Sequence, residues 1–320
     1  MRSLITGVTG QDGAYLSALL RDQGHEVFGL VAPDDTGEPP AGVHALPGDL
    51  RDAGELARAL DVADPDWLFN LAAISSVSRS WDDPELVAEV NGVAVIRLLN
   101  LLRQRVQDGQ RPTRFVQASS AEIFGDAAAP QTEATPIRPV TPYGAAKALA
   151  HHAVAVFRTM GVPACAAVLY NHESPLRPTG FVTRKITSAV ARIAAGSGEQ
   201  LEIADLDVRR DWGHAADYVR ALAMIAAHPE PDDFVIASGV SRSVGDFVAA
   251  AFAHVGIDDW RPLVRVDSGL RRSADAREQR GDASKAHDLL GWRPEISFEA
   301  LVAEMVDADL ADLPFSLSDR

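Results

Sequence analysis

Residues 119–147 hold the side chains best suited to chemistry. Ser119-Ser120-Ala121-Glu122-Ile123-Phe124-Gly125 is followed by a proline-bearing loop and then by Thr141-Pro142-Tyr143-Gly144-Ala145-Ala146-Lys147. Thr141 suits an N-cap and Pro142 the first helical position, so Tyr143 falls in the first turn of a helix and Lys147 one turn later on the same face. An isolated phenol loses its proton near pH ~10, and an adjacent ammonium favours the phenolate. Tyr143 is therefore a candidate base toward a sugar or alcohol hydroxyl. The same spacing also arises on solvated helix faces, so the pair takes its meaning from the elements around it.

Those elements begin at the amino terminus. Residues 3–6 read as a short apolar strand running into Gly7-Val8-Thr9-Gly10-Gln11-Asp12-Gly13, residues 14–23 as a helix closed by Gly24, and residues 27–31 as a second strand. A strand, glycine turn, helix and strand make a right-handed βαβ unit whose first turn offers backbone N–H groups and a helix N-terminus to a pyrophosphate. The alternation continues with strands at 43–46 (before Gly48-Asp49-Leu50), 67–71 (ending at Ala72-Ala73), 114–118 and 164–169. Asp83-Pro84-Glu85 supplies a cap, a first-turn proline and an acid for a helix running to Arg105. Six strands with intervening helices predict an α/β fold, a doubly wound parallel sheet of the Rossmann type with a smaller C-terminal lobe. Ligands then belong at the carboxyl ends of the strands, where the glycine turn, Ala72-Ala73, Ser119-Ser120 and Asn171 fall.

After Asn171 the texture changes to a polar loop, Asn171-His172-Glu173-Ser174-Pro175-Leu176-Arg177-Pro178, followed by a helix over 182–195. A charged stretch at 205–211 precedes Trp212-Gly213-His214-Ala215, residues 234–237 read as a strand returning to the sheet, and helices are expected at 244–255, 284–290 and 298–310. The expected division is a dinucleotide-binding domain over 1–170, with segments near 213–240 returning to it, and a mainly substrate-binding lobe over 171–320.

Composition narrows the partners. The chain has 320 residues, 47% of them apolar, enough for a sizeable core, and 45 acidic against 30 basic residues give a net charge of −15. That balance argues against a nucleic-acid backbone as partner, so an anionic substrate needs a local basic pocket. Cys165, the only cysteine, lies in the apolar run Ala164-Cys165-Ala166-Ala167-Val168-Leu169 and reads as a small core residue. His151-His152 lack metal-ligand spacing, and no metal is expected. With neither a signal-peptide core nor a membrane-spanning run, a soluble cytoplasmic protein is expected.

Together these residues resemble the extended short-chain dehydrogenases, and within them the GDP-mannose 4,6-dehydratase family. The strings that carry the resemblance are Ile5-Thr6-Gly7-Val8-Thr9-Gly10-Gln11-Asp12-Gly13, Asn171-His172-Glu173-Ser174-Pro175, Phe181-Val182-Thr183-Arg184-Lys185-Ile186 and Arg210-Asp211-Trp212-Gly213-His214-Ala215. The resemblance implies a lyase that oxidises a nucleotide sugar at C4, eliminates water across C5 and C6, and returns the hydride to C6. It implies that Tyr143 takes the O4 proton, Ser120 hydrogen-bonds O4 where the family has threonine, Glu122 serves as acid and base at C5 and C6, and Lys147 tunes Tyr143 and holds the nicotinamide ribose. It assigns Gly7, Thr9, Gly10, Gln11, Asp12, Gly13, Asp49, Leu50, Leu71, Ala72, Ala73, His172 and Arg177, with Tyr143 and Lys147, to the cofactor. The GDP-sugar falls to Ser75, Asn171, Val182, Lys185, Arg210, Arg272 and Asp275, the two arginines facing the diphosphate because their planar forks match phosphate oxygens.

Two departures widen the expectation. After the second strand the family carries adjacent basic residues for the NADP 2′-phosphate and for tetramer formation, whereas this chain reads Val31-Ala32-Pro33-Asp34-Asp35. A carboxylate there favours a free ribose diol, so NAD stands beside NADP, and a homodimer is expected more readily than a tetramer. On the sugar side, Ile74-Ser75-Ser76 replaces the family's Gln-Ser-His, Leu176 replaces an arginine, and Pro178-Thr179-Gly180 is unlike the family. Small residues there give room for a GDP-heptose as an alternative to GDP-mannose. A nucleotide-sugar epimerase or ketoreductase, or a non-catalytic nucleotide-binding protein, are the other readings the scaffold allows.

Overall fold

Alternating apolar strands and capped helices fold here as successive crossovers on one sheet. The computed structural model describes residues 1–267, 269 and 276–313, so Arg272 and Asp275 lie outside the described residues. Its first part runs β1 (Arg2–Thr6), α1 (Gln11–Asp22), β2 (Glu26–Val31), β3 (His44–Pro47), α2 (Ala53–Ala63) and β4 (Trp67–Asn70). Two short helices, α3 (Arg79–Asp82) and α4 (Pro84–Ala88), then lead through a π-helical turn at Glu89–Val93 to α5 (Ala94–Gln107). β5 (Arg114–Ser120), a 3-10 turn at Ala121–Phe124, α6 (Pro142–Thr159), β6 (Ala164–Leu169) and β7 (Asn171–Glu173) follow. The rest comprises α7 (Val182–Ala194), β8 (Leu201–Ile203), β9 (Arg209–His214), α8 (Ala215–Ala227), β10 (Asp233–Ile236), β11 (Ser241–Ser243), α9 (Val244–His254), β12 (Val264–Val266), β13 (Glu278–Gln279), α10 (Ser284–Leu290) and α11 (Phe298–Ala311).

Seven strands pair in the order β10-β6-β5-β4-β1-β2-β3, every neighbour parallel. The expected doubly wound sheet is present, with the returning strand β10 as one edge. Strands covered on both faces read as continuous apolar runs, and β6 is buried at all of its positions, Cys165 included. No helix among the described residues is long and apolar enough to cross a membrane.

Local details correct the sequence expectation in three places. α1 begins at Gln11, three residues before the expected start, because Gly13 serves close packing within the first turn: a Cβ there would lie 2.4 Å from the Gly7 carbonyl oxygen and 2.5 Å from that of Val8. The helix capped by Asp83 is not uniform. Asp83 Oδ1 accepts from the Leu86 amide at 3.2 Å as expected, but a π turn interrupts the path to α5. Asn91 in that turn holds the loop after β4, accepting from the Ile74 N–H at 2.9 Å and donating to the Ile74 carbonyl at 3.0 Å. Finally, Arg209–His214, which begins within the charged stretch, is a strand not expected from the sequence, and His214 caps the unforeseen helix α8, its Nδ1 accepting from Ala216 N–H at 3.0 Å.

β9 centres a smaller sheet in which β11 pairs antiparallel and β13 and β7 pair parallel. A separate apolar core lies beside it, with Ile186 and Val190 of α7, Phe247 and Phe252 of α9, and Leu301 and Met305 of α11 packed around Trp212.

Candidate active site

The helix that carries the phenol begins where Thr141 and Pro142 place it. Thr141 Oγ1 accepts from the Gly144 N–H at 2.9 Å, and proline occupies the first turn. Gly144 lets the 3-10 turn press against that first turn, since a Cβ at Gly144 would sit 2.6 Å from the Glu122 carbonyl oxygen. Ser120 Oγ in turn accepts from the Glu122 N–H at 3.2 Å and lies within hydrogen-bonding reach of the Tyr143 phenol. Ser120, Glu122 and Tyr143 thus come together at the carboxyl end of β5.

Lys147 is 3% exposed. Its ammonium donates to the Ala118 carbonyl at 3.0 Å and stands 5.8 Å from the centre of the Tyr143 ring. Burial pushes the Tyr143 phenol up to about 12, and the charges of Glu122 and Asp12 push the same way; the Ser120 hydroxyl and the Arg177 charge oppose them. Desolvation dominates, so the net shift of the phenol is upward rather than the lowering expected from the spacing. Burial also brings Lys147 down to about 8, with Asp12 opposing.

A buried row of hydrogen bonds crosses the strand ends beneath these groups. The Ala72 N–H donates to Thr6 Oγ1 at 3.1 Å, Thr6 Oγ1 to Asn70 Oδ1 at 2.7 Å, Asn70 Nδ2 to Gln117 Oε1 at 2.8 Å and Gln117 Nε2 to the Ala118 carbonyl at 2.8 Å. The row ends on the oxygen that Lys147 uses.

The glycine turn fits a dinucleotide. Gly10 is the N-cap of α1 and puts no side chain over the first-turn N–H groups, and the space beside Gly13 is taken by backbone, so the chain lies tight on the helix start. Gln11 and Asp12 are fastened to the Asn171-His172-Glu173-Ser174 segment. His172 Nε2 meets Asp12 Oδ2 at 2.8 Å, Gln11 Nε2 donates to the His172 carbonyl at 3.1 Å, and Ser174 Oγ donates to Gln11 Oε1 at 2.8 Å. Burial acts to raise the Asp12 carboxyl, but His172, Gln11 and Arg177 outweigh it and hold the group below the usual range. Arg177 pairs with Glu173 at 3.0 Å and lies 3.7 Å over the Phe181 ring.

Other expected residues are placed less centrally. Leu71, Ala72 and Ala73 follow β4 into the crevice, and Leu50 is buried after β3. Asp49 accepts from the Arg51 side chain, whose hydrogen bonds hold its carboxyl below the ordinary range. Thr9 donates to Asp35, which also accepts from the Gly37 N–H at 2.9 Å, so the acidic loop after β2 is folded onto the glycine turn. Ser75, Val182 and Lys185 are exposed, the last two in the first turn of α7, and Asn171 opens β7. Arg210 is buried, with Nη1 donating to the Arg209 and Ala276 carbonyls at 2.9 Å each. Gln279, which the sequence did not single out, donates to Glu122 Oε1 at 3.1 Å.

The GDP-mannose 4,6-dehydratase family model matches residues 4–305. The chain belongs to the GDP-mannose 4,6-dehydratase family. It is 40% identical over 325 residues to GDP-mannose 4,6 dehydratase 1 of Arabidopsis thaliana, covering 96% of this chain and 89% of that one. Two solved structures extend the likeness beyond the GDP-mannose 4,6-dehydratases. A UDP-glucose 4-epimerase from Thermus thermophilus in complex with NAD superposes with a TM-score of 0.86 at 26% identity, over 98% of this chain and 100% of that one. A dTDP-glucose 4,6-dehydratase from Streptomyces venezuelae with NAD bound does so with a TM-score of 0.85 at 25% identity, over 98% of both.

Proposed function

We propose that this chain is an NAD-dependent GDP-sugar 4,6-dehydratase that converts GDP-mannose to GDP-4-keto-6-deoxy-mannose. The observation that carries the reading is the convergence of Ser120, Glu122 and Tyr143 at the carboxyl end of β5, beside a glycine turn suited to a pyrophosphate. The nicotinamide supplies the hydride acceptor for C4 and the donor for C6, and its oxidised ring brings a positive charge that favours the phenolate. Tyr143 takes the O4 proton while Ser120 holds the same oxygen. The ketone then acidifies C5–H, and Glu122 removes that proton and delivers it to the C6 hydroxyl, which leaves as water. Tyr143 returns the proton it holds to C5. The sugar loses one water and the cofactor is unchanged after a turnover.

Within this reading residues 1–170, with α8 and β10, hold the dinucleotide through Gly7, Thr9, Gly10, Gln11, Asp12, Gly13, Asp49, Leu50, Leu71, Ala72, Ala73, Tyr143 and Lys147, joined by His172 and Arg177 from the segment that follows. Most of 171–320 holds the GDP-sugar, with Asn171, Val182, Lys185 and Arg210 contributing and Ser75 reaching from the first part. NAD is favoured over NADP by the Asp35 carboxylate held against Thr9, because a fixed negative charge there repels a 2′-phosphate. The exposed apolar side chains Leu149, Val156 and Met160, on and just after α6, favour a homodimer built on that helix face.

The deciding experiment incubates the protein with GDP-mannose or a GDP-heptose, each with NAD or NADP, and follows the nucleotide sugar by mass spectrometry. Loss of one water without net cofactor reduction, abolished by Glu122→Gln, supports the reading. A protein that binds dinucleotide yet removes water from neither sugar belongs instead with the epimerases or ketoreductases.

A further inference from the structure

We infer that Gln279 is a positioning residue for the Glu122 carboxylate, and through it for the elimination half of the reaction. The inference rests on the dehydratase reading above. β13 pairs with β9 at Glu278↔Arg209 and Gln279↔Arg210, and successive side chains of a strand leave on opposite faces. Glu278 turns to the Ser241 hydroxyl and Arg280. Gln279, 2% exposed, turns the other way, and its Nε2 donates to Glu122 Oε1, 157 positions distant in the chain, at 3.1 Å.

The short strand is held from both sides, which makes the amide a fixed donor. The Arg209 N–H donates to the Arg277 carbonyl at 2.9 Å on one side of the pair. On the other, the Gln131 N–H donates to the Arg280 carbonyl at 2.9 Å, the Asp282 N–H to the Gln131 carbonyl at 2.8 Å, and the Arg280 N–H to Gln131 Oε1 at 3.2 Å. The Gly281 N–H reaches Asp211 Oδ2 at 3.3 Å, tying the same segment to β9.

A primary amide is costly to bury unless its polar atoms are used, so an apolar side chain would be the simpler occupant of this position. Its use here is to fix one oxygen of Glu122. The carboxylate stands on a single 3-10 turn, and the Gln279 amide, carried on a strand held from both sides, is one of the contacts that sets its direction. With that oxygen held, rotation of the carboxyl plane is limited, and with it the direction from which the group meets C5–H and then the C6 hydroxyl. A neutral donor also favours the charged, proton-accepting form without placing a competing charge beside the substrate.

Gln279→Met keeps the length and removes the donor. The expected result is a kcat lower by roughly 10- to 100-fold, the scale set by slight misplacement of a reacting group, with KM for the GDP-sugar unchanged. Dinucleotide and GDP affinities by calorimetry are unchanged. In a single turnover the reduced nicotinamide accumulates, because chemistry at O4 and C4 proceeds while C5 proton removal is slowed, and deuterium at C5 slows the variant more than the parent. Gln279→Glu, which keeps the shape but replaces the donor with an acceptor, gives the same accumulation and serves if the first variant does not fold. Parental kcat in either folded variant overturns the role. So does joint loss of activity and dinucleotide binding without reduced nicotinamide. If the parent itself removes water from no GDP-sugar, the dehydratase reading falls and this inference with it; if the parent dehydrates and the variants match it, only the role of Gln279 falls.

Discussion

The Lys147 ammonium and the Ala118 carbonyl oxygen are 3.0 Å apart, so the charge one helical turn below Tyr143 is tied to the end of β5. That oxygen also accepts from Gln117 Nε2 and stays satisfied if the lysine is removed. Burial lowers Lys147 from 10.5 to about 8, so folding binds its proton less tightly than the unfolded chain does. The cost of the buried ammonium is therefore fully present below about 8 and is relieved as pH rises toward 10.5.

Lys147→Met should accordingly stabilise the fold near neutral pH by roughly 1–2 kcal/mol while slowing dehydration on the order of 10²-fold. Urea unfolding at neutral pH and again close to pH 10.5 checks the first part, and the advantage should shrink at the higher value. A variant less stable than its parent at neutrality would show that the ammonium is a net structural asset.

Gly144→Ala tests the closeness of the two catalytic segments. The added Cβ would meet the Glu122 carbonyl oxygen at 2.6 Å, with Pro139 Cβ and Thr141 Oγ1 each at 3.1 Å, so something in the backbone must move. A loss of roughly 1–3 kcal/mol in unfolding free energy is expected, with a fall in kcat beyond that in KM, read from thermal unfolding and steady-state rates.

Asp35→Asn addresses the cofactor. Asp35 is exposed, so removing its charge should change the interaction with a 2′-phosphate by only about 1 kcal/mol, or roughly 5-fold in NADP affinity. NAD affinity should hold or decline. Calorimetry with both dinucleotides gives the ratio directly, and a parent that already prefers NADP would contradict the assignment.

Leu149→Asp and Val156→Asp place charges on the exposed face of α6. If that face joins two copies, each variant should sediment as a monomer where the parent sediments as a dimer, while single-chain unfolding changes little.

Much of the central sheet could be read from the sequence because its signals are local. Thr141 and Pro142 mark the start of α6 by capping chemistry alone, and β6 and α10 fall at the predicted residues. β9 was hidden because Arg209–His214 is mostly polar, and only its pairing with β7, β11 and β13 makes it a strand. Asp211 within it is fully buried, and burial pushes its carboxyl up to about 6 against the donors of Ser238, Gly239 and Gly281. α8 was missed because Ala215–Ala227 is buried around most of its circumference, which blurs the amphipathic period, and its cap is a histidine. In the site, Ser120, Glu122, Tyr143 and Lys147 stand out by type and proximity in sequence. Thr6 and Asn70 are separated by 64 positions, Asn70 and Gln117 by 47, and Glu122 and Gln279 by 157, and nothing local announces that they meet.

The row from Ala72 through Thr6, Asn70 and Gln117 to Ala118 and Lys147 bears on how this protein can be recombined with others. Repeated βαβ units invite exchange of whole modules at their loops, yet each of β1, β4, β5 and α6 contributes at least one member of this row. A chimaera joined in any loop between β1 and α6 would inherit its donors and acceptors from two parents, and a single mismatch would leave a buried amide or carbonyl unanswered beneath the catalytic helix. The transferable unit is the stretch from β1 through α6 taken whole.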